Sequence, residues 1–324
     1  MNPGRILLVI VVSAFSSHPV FAQDVSDYPS KPVRVIVGSP PGGGTDVQTR
    51  MFAQKLSEGM QRQFVVENHP GGSNTIGFGI AAKAAPDGYT LLSISPVFTF
   101  VPALMNANLP FDPIKDFTPI SLLAKAPFLL LVHPSLPAQS VAELIKLAKS
   151  KPGELALGVA NGGSSHLTAA WFAAMANIKV IIVPYKGTGQ VVPDAIAGHL
   201  QVTFGNVLAF MPYVQAGRLR ALAVTSAERS TVLPGLPTIA ESGLPGFDVI
   251  TWAGWIAPAR VPAAIITKLS AELAKVARAP DIAKNLAQDG AEGVGSTPEQ
   301  FGQLIATEIP RWRKVVKDTG MRVE

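Results

Sequence analysis

The sequence predicts an α/β protein of two lobes, each a mixed, mostly parallel sheet covered by helices, with a hinge of two extended segments between them. Three observations predict it. Short β-branched apolar runs alternate with stretches of helical period along most of the chain. Glycine-rich loops follow several of the runs and end in helix-starting residues. Two long apolar stretches, "FTPISLLAKAPFLLLVHP" (117–134) and "FDVITWAGWIAP" (247–258), read as extended segments that cross between lobes.

The elements follow in order. "VRVIVG" (33–38) is a buried strand bounded by turn signals. From Thr45 to about Gln61 the pattern is helical, with Thr45 or Asp46 as N-cap and Val47, Met51, Phe52, Leu56 and Met60 on one face. "QFVVEN", "NTIGFGIAAKAA" and "GYTLLSIS" continue as strand, short helix and strand. In the second lobe, Ser140 and Glu143 form a capping box for "VAELIKLAKS". "LALGVA", "VIIVPY", "VTFGNV" and "LRALAVTS" are further strands, with helices after "NGGSSH" and around 188–198. Thr297-Pro298-Glu299-Gln300 opens a last helix, whose apolar face carries Phe301, Leu304, Ile305, Trp312 and Val316 and which Pro310 should kink. Two crossings divide the chain into lobe I, 23–123 plus 250–324, and lobe II, 124–249.

The first 22 residues read as an export signal: Arg5, an apolar core from Ile6 to Val12, and small residues Val20 and Ala22 before the expected cleavage. That core is too short for a bilayer span, which needs about 20 residues. The chain has no cysteine, so neither a disulfide framework nor a lipid-accepting residue is expected, and the protein should be free in a periplasm. The net charge of +5 is scattered. With no basic run interleaved with aromatics, it suits an anionic small molecule and argues against nucleic acid.

The loop "SPPGGGTD" (39–46) could be a plain tight turn or an anion cradle. Beyond the carboxyl end of a strand, Gly42 to Gly44 let backbone N–H groups face inward, and the helix start adds about half a positive charge. Asp46 supports the loop electrostatically. "PGGSNTIG" (70–77) has the same design, and "VANGGSSHLT" (159–168), "PYKGTGQ" (184–190) and "FGNV" (204–207) repeat it in the other lobe. Such starts in both lobes suit a ligand caught between them. Enzyme patterns are missing. Ser165 and His166 are sequence neighbours that cannot readily pair, no G-x-S-x-G or GxxxxGK[ST] motif occurs, and the five histidines (18, 69, 133, 166, 199) lack metal-ligand spacing. No catalytic residue, metal or cofactor is therefore expected. Trp252 and Trp255 read as hinge or core packing, with a wall of the ligand pocket as the alternative for one of them.

Collinear segments, among them "YPSKPVRVIVGSPPGGGTD", "VVENHPGGSNTIG", "LPFDPIKDFTPISLL", "GGSSHLT", "VPYKGTGQ" and "AGRLRALAVTSAERS", together resemble the extracytoplasmic solute-binding proteins of tripartite tricarboxylate transporters, the Bug family. The resemblance implies a two-lobed periplasmic binding protein fold (type II), a small organic carboxylate as ligand, membrane transporter subunits as partners and a monomeric state. Carried over by position, it implies Ser39, Gly42, Gly43 and Thr45, with Asn74, Ser93 and Ser95, as ligand-binding residues of lobe I. Gly163, Ser164, Ser165 and His166 face them from lobe II, joined by Thr188 and Asn206. The family often carries an aromatic where Ser39 stands, so a smaller, more polar wall is expected there, and Phe98 or Phe100 is expected to face the cleft. A ligand sensor for a membrane kinase is an alternative on the same fold; an exported hydrolase or transferase is a remoter one.

Overall fold

The computed structural model describes residues 27–105, 109–161 and 163–320; the expected export signal at 1–22 lies outside the described residues. Strands β1 (Val33–Val37), β2 (Phe64–Asn68) and β3 (Thr90–Ile94) alternate with helices α1 (Gly44–Met60), α2 (Thr75–Ala82) and α3 (Val97–Leu104). A 16-residue strand, β4 (Phe117–Val132), leads into α4 (Val141–Ser150). Then come β5 (Ala156–Ala160), α5 (Ser164–Ala176), β6 (Ile181–Tyr185), α6 (Thr188–Ala197), β7 (Val202–Asn206), α7 (Val207–Gln215) and β8 (Arg220–Val224). The chain returns through β9 (Ile250–Pro258), α8 (Ala263–Ala277), α9 (Pro280–Gln288), the short β10 (Glu292–Gly293) and α10 (Pro298–Thr319).

β1 lies parallel between β2 and β3, and β3 then pairs antiparallel with β9. β4 belongs to both sheets. Its residues 117–127 pair antiparallel with β9, whereas 128–132 pair antiparallel with β7 and β8. β7 continues parallel to β5, and β5 to β6. The switch at Phe128 is held by buried Thr225, whose Oγ1 accepts the Phe128 N–H at 2.8 Å and donates to the Val249 carbonyl at 2.7 Å. One side chain thus ties both crossing segments together.

Several local expectations need correction. Gly43, not Thr45 or Asp46, is the N-cap of α1. Val47 is more than half exposed; Phe52 and Leu56 are buried as expected, together with Asp46, Thr49 and Ala53. Ser140 does accept the Glu143 N–H, but the Glu143 carboxylate takes the N–H of Gln139, one residue earlier than a capping box requires. The box at Thr297 and Gln300 is complete. Phe98 and Phe100 are fully buried: Phe98 packs among Phe78, Phe111 and Phe117, and Phe100 stands edge-on to Trp312 at 4.8 Å. Neither faces a cleft. α10 continues as helix through Pro310, and its Trp312 and Val315, with Phe100 and Ala103 of α3, join the core built on Phe172, Phe204 and Phe247.

Candidate functional site: a cleft of helix N-termini

A cleft of about 380 Å³ lies where the two sheets meet, a size suited to a small molecule. Five helix starts reach it: Gly44 and Thr45 of α1, Ser95 and Pro96 before α3, Gly163 to Ser165 at α5, Thr188 of α6, and Asn206 before α7. α1, α5 and α6 have glycine N-caps, Gly43, Gly163 and Gly187, and no side chain caps them. α7 is capped by Asn206, whose Oδ1 accepts the Ala209 N–H at 2.8 Å, as α4 and α10 are closed away from the cleft by the hydroxyls of Ser140 and Thr297. The first N–H groups of a helix have no partner within it, so glycine caps leave donors and the positive end of the helix dipole for a ligand. Among the described residues, no arginine lines the cleft.

The first loop is held from behind. Gly42, at φ +81°, needs the left-handed conformation that glycine adopts without strain. Its N–H donates to the buried carboxylate of Asp46 at 2.9 Å, which also accepts Asn68 Nδ2 at 2.9 Å and the Arg50 guanidinium at 3.0 and 3.1 Å. Burial works to raise the Asp46 carboxyl, but Arg50, the Gly42 N–H and the Asn68 amide together hold it below its ordinary range. Ser93 lies a layer deeper: the one hydroxyl proton of Thr49 goes to the Thr45 carbonyl, and Thr49 Oγ1 accepts from the Ser93 hydroxyl at 2.7 Å.

Of the residues expected at the site, the cleft brings together Thr45, Ser95, Gly163, Ser164, Ser165, Thr188 and Asn206. Ser39, Gly42, Gly43, Asn74, Ser93 and His166 do not line it. Asn74, at φ +73°, sits against Gly38 at the end of β1. Ser165 Oγ accepts the Ala160 N–H at 3.1 Å, fixing the turn into α5. His166 is buried behind that turn, and burial lowers its pKa so that the neutral ring is favoured. Among the described residues, no group of three His, Cys, Asp or Glu side chains could hold a metal, and no helix is long and apolar enough to cross a membrane.

Other lining residues escaped the sequence reading: Gln48, Lys125, Phe128, Phe204 and Asp289, whereas Trp252 is the tryptophan that walls the cleft. Gln48 was accessible in principle, being four residues after Gly44 on the same helical face. Lys125 pairs with Glu292 at 3.0 Å. Trp252, from β9, forms part of the lining, and its indole N–H donates at 3.3 Å to Glu308, a buried carboxylate that also accepts Thr99 Oγ1 at 2.7 Å and pairs with Arg311 at 3.2 Å. Burial raises the Glu308 carboxyl, and these donors only partly offset it.

Two lobes sharing a long strand, with helix starts from both reaching the junction, have the architecture of type II solute-binding proteins. Residues 48–321 match the family described as the tripartite tricarboxylate transporter family receptor, and the chain belongs to that family. Protein BugT of Bordetella pertussis is 35% identical over the full length of both chains. Among solved structures, R. palustris Rpa4515 with adipate is 37% identical with a TM-score of 0.75, covering 91% of this chain and 99% of that one. MatC from Rhodopseudomonas palustris with bound malate is 30% identical with a TM-score of 0.71, covering 89% and 100%.

Proposed function

We propose that this protein captures a small organic carboxylate between lobe I (23–123 plus 250–324) and lobe II (124–249) and delivers it to the membrane subunits of a tripartite tricarboxylate-type transporter. It works in the periplasm, exported by the signal at 1–22, as a monomer, and binds without turning its ligand over. The convergence of five helix starts on one cleft carries the reading. Backbone N–H groups and the hydroxyls of Thr45, Ser95, Ser164 and Thr188 replace the water shell of a carboxylate. Each charge-assisted hydrogen bond contributes about 1.5–3 kcal/mol. A few of them support micromolar binding, about −8 kcal/mol. The adipate and malate bound by the two relatives are carboxylates of fitting size.

A thermal-shift screen of refolded, ligand-stripped protein against small carboxylates and neutral solutes tests this. Ligand at a hundredfold excess over Kd stabilises by about 2.7 kcal/mol, so a true ligand raises Tm by several degrees. Shifts from neutral solutes alone would overturn the carboxylate reading.

A further inference from the structure

Asp289 is out of place in a cleft shaped for anions. It lines the wall from the turn between α9 and β10, and that turn is pressed against the opposite lobe. A Cβ added to Gly290 would lie 2.4 Å from Val207 Cβ, at the start of α7. Asp289 therefore stands in the wall where the lobes touch. Among the described residues, Lys125 and Asp289 are the charged side chains lining the cleft. Lys125 is committed to Glu292, whose second oxygen accepts Thr231 Oγ1 at 2.8 Å. No described residue offers the Asp289 carboxylate a hydrogen bond or an ion pair, and burial alone acts on it, raising its pKa. Partial desolvation without a partner is a cost that a ligand can remove by supplying a donor. A second ligand carboxylate would instead add like charge beside it.

We infer that Asp289 reads the far end of the ligand, so that the cleft selects small carboxylates whose other end is a hydrogen-bond donor, an ammonium or primary amide, over dicarboxylates. The inference rests on the carboxylate reading above and adds the chemistry of the second end. One end of the ligand takes the helix N-termini; the other takes Asp289. This sets the protein apart from the relatives seen with adipate and malate.

Calorimetric titration of ligand-stripped wild type and Asp289→Asn tests it with chain-matched probes of four to six carbons: ω-amino acids against the corresponding dicarboxylates, with hexanoate and hexanamide as controls. Wild type should bind its best ω-amino acid at least tenfold more tightly than the dicarboxylate of equal length. Asp289→Asn should erase that ratio while changing hexanoate affinity less than threefold and leaving Tm near wild type. Equal or tighter dicarboxylate binding by wild type, or a ratio that survives Asp289→Asn, would overturn the assignment of Asp289 alone. Hexanamide bound as tightly as hexanoate by Asp289→Asn, which has no carboxylate to take the amide N–H groups, would sink the carboxylate reading as well, and so would silence across every probe.

Discussion

The two glycine-rich loops of the first sheet, 39–46 after β1 and 70–77 after β2, look alike in sequence and do opposite things. In the first, a Cβ on Gly44 would meet nothing within 4 Å, and one on Gly43 only ordinary contacts, because the loop opens into the cleft. In the second, a Cβ on Gly77 would lie 2.9 Å from Gly38 Cα and 3.2 Å from the His69 carbonyl. There glycine lets a helix press on a strand end; in the first loop it leaves a helix end open to the cleft. The difference is whether a neighbouring backbone or solvent occupies the space a side chain would take, which no local pattern states.

Substitutions can break this contrast. Gly77→Val should have the largest effect on the fold, about 3 kcal/mol of overpacking against backbone that cannot yield; a urea melt measures it, and a wild-type midpoint would mean the contact is soft. Gly44→Val should leave the melt within about 0.5 kcal/mol, yet weaken ligand binding roughly 10–100-fold by blocking one or two charge-assisted bonds. Equal loss of fold and affinity would make the first loop structural too. Asp46→Asn should cost about 1–3 kcal/mol by removing the charge that Arg50 faces. The wild-type pKa is depressed, so the contribution of Asp46 is present above the ordinary aspartate value of 3.8 and is lost as pH falls through the lower folded value. In urea melts the gap between wild type and variant should therefore be full at pH 7 and narrow progressively as pH is lowered below 3.8. Asn74→Gly should be the mildest, within about 0.5 kcal/mol because it relieves a left-handed residue, with Kd unchanged. A tenfold loss of affinity would return the second loop to the site.

Much of this was legible. Helix starts after strands announce themselves through glycine, serine and threonine, and the cleft gathers Thr45, Ser95, Ser164 and Thr188 from four such places. The crossing segments were visible because 117–134 and 247–258 are long, apolar and without helical period. Ala124, Lys125 and Ala126 were not legible as cleft residues, since a strand buried on both faces carries no alternation to show which positions border a cavity. Phe98 and Phe100 misled for a related reason. Aromatics beside a glycine- and serine-rich loop look like pocket walls, but α3 turns them into two different cores. Asp289 lies far in sequence from every glycine loop and reaches the cleft only through tertiary packing.

The proposed function depends on helix N-termini in the cleft gripping a carboxylate. Titration calorimetry of ligand-stripped protein with the best-binding carboxylate and its own primary amide, identical in shape at that end, tests it most directly. The amide should bind at least a hundredfold more weakly. Affinities equal within threefold would show that the cleft reads polarity rather than charge, and would contradict it.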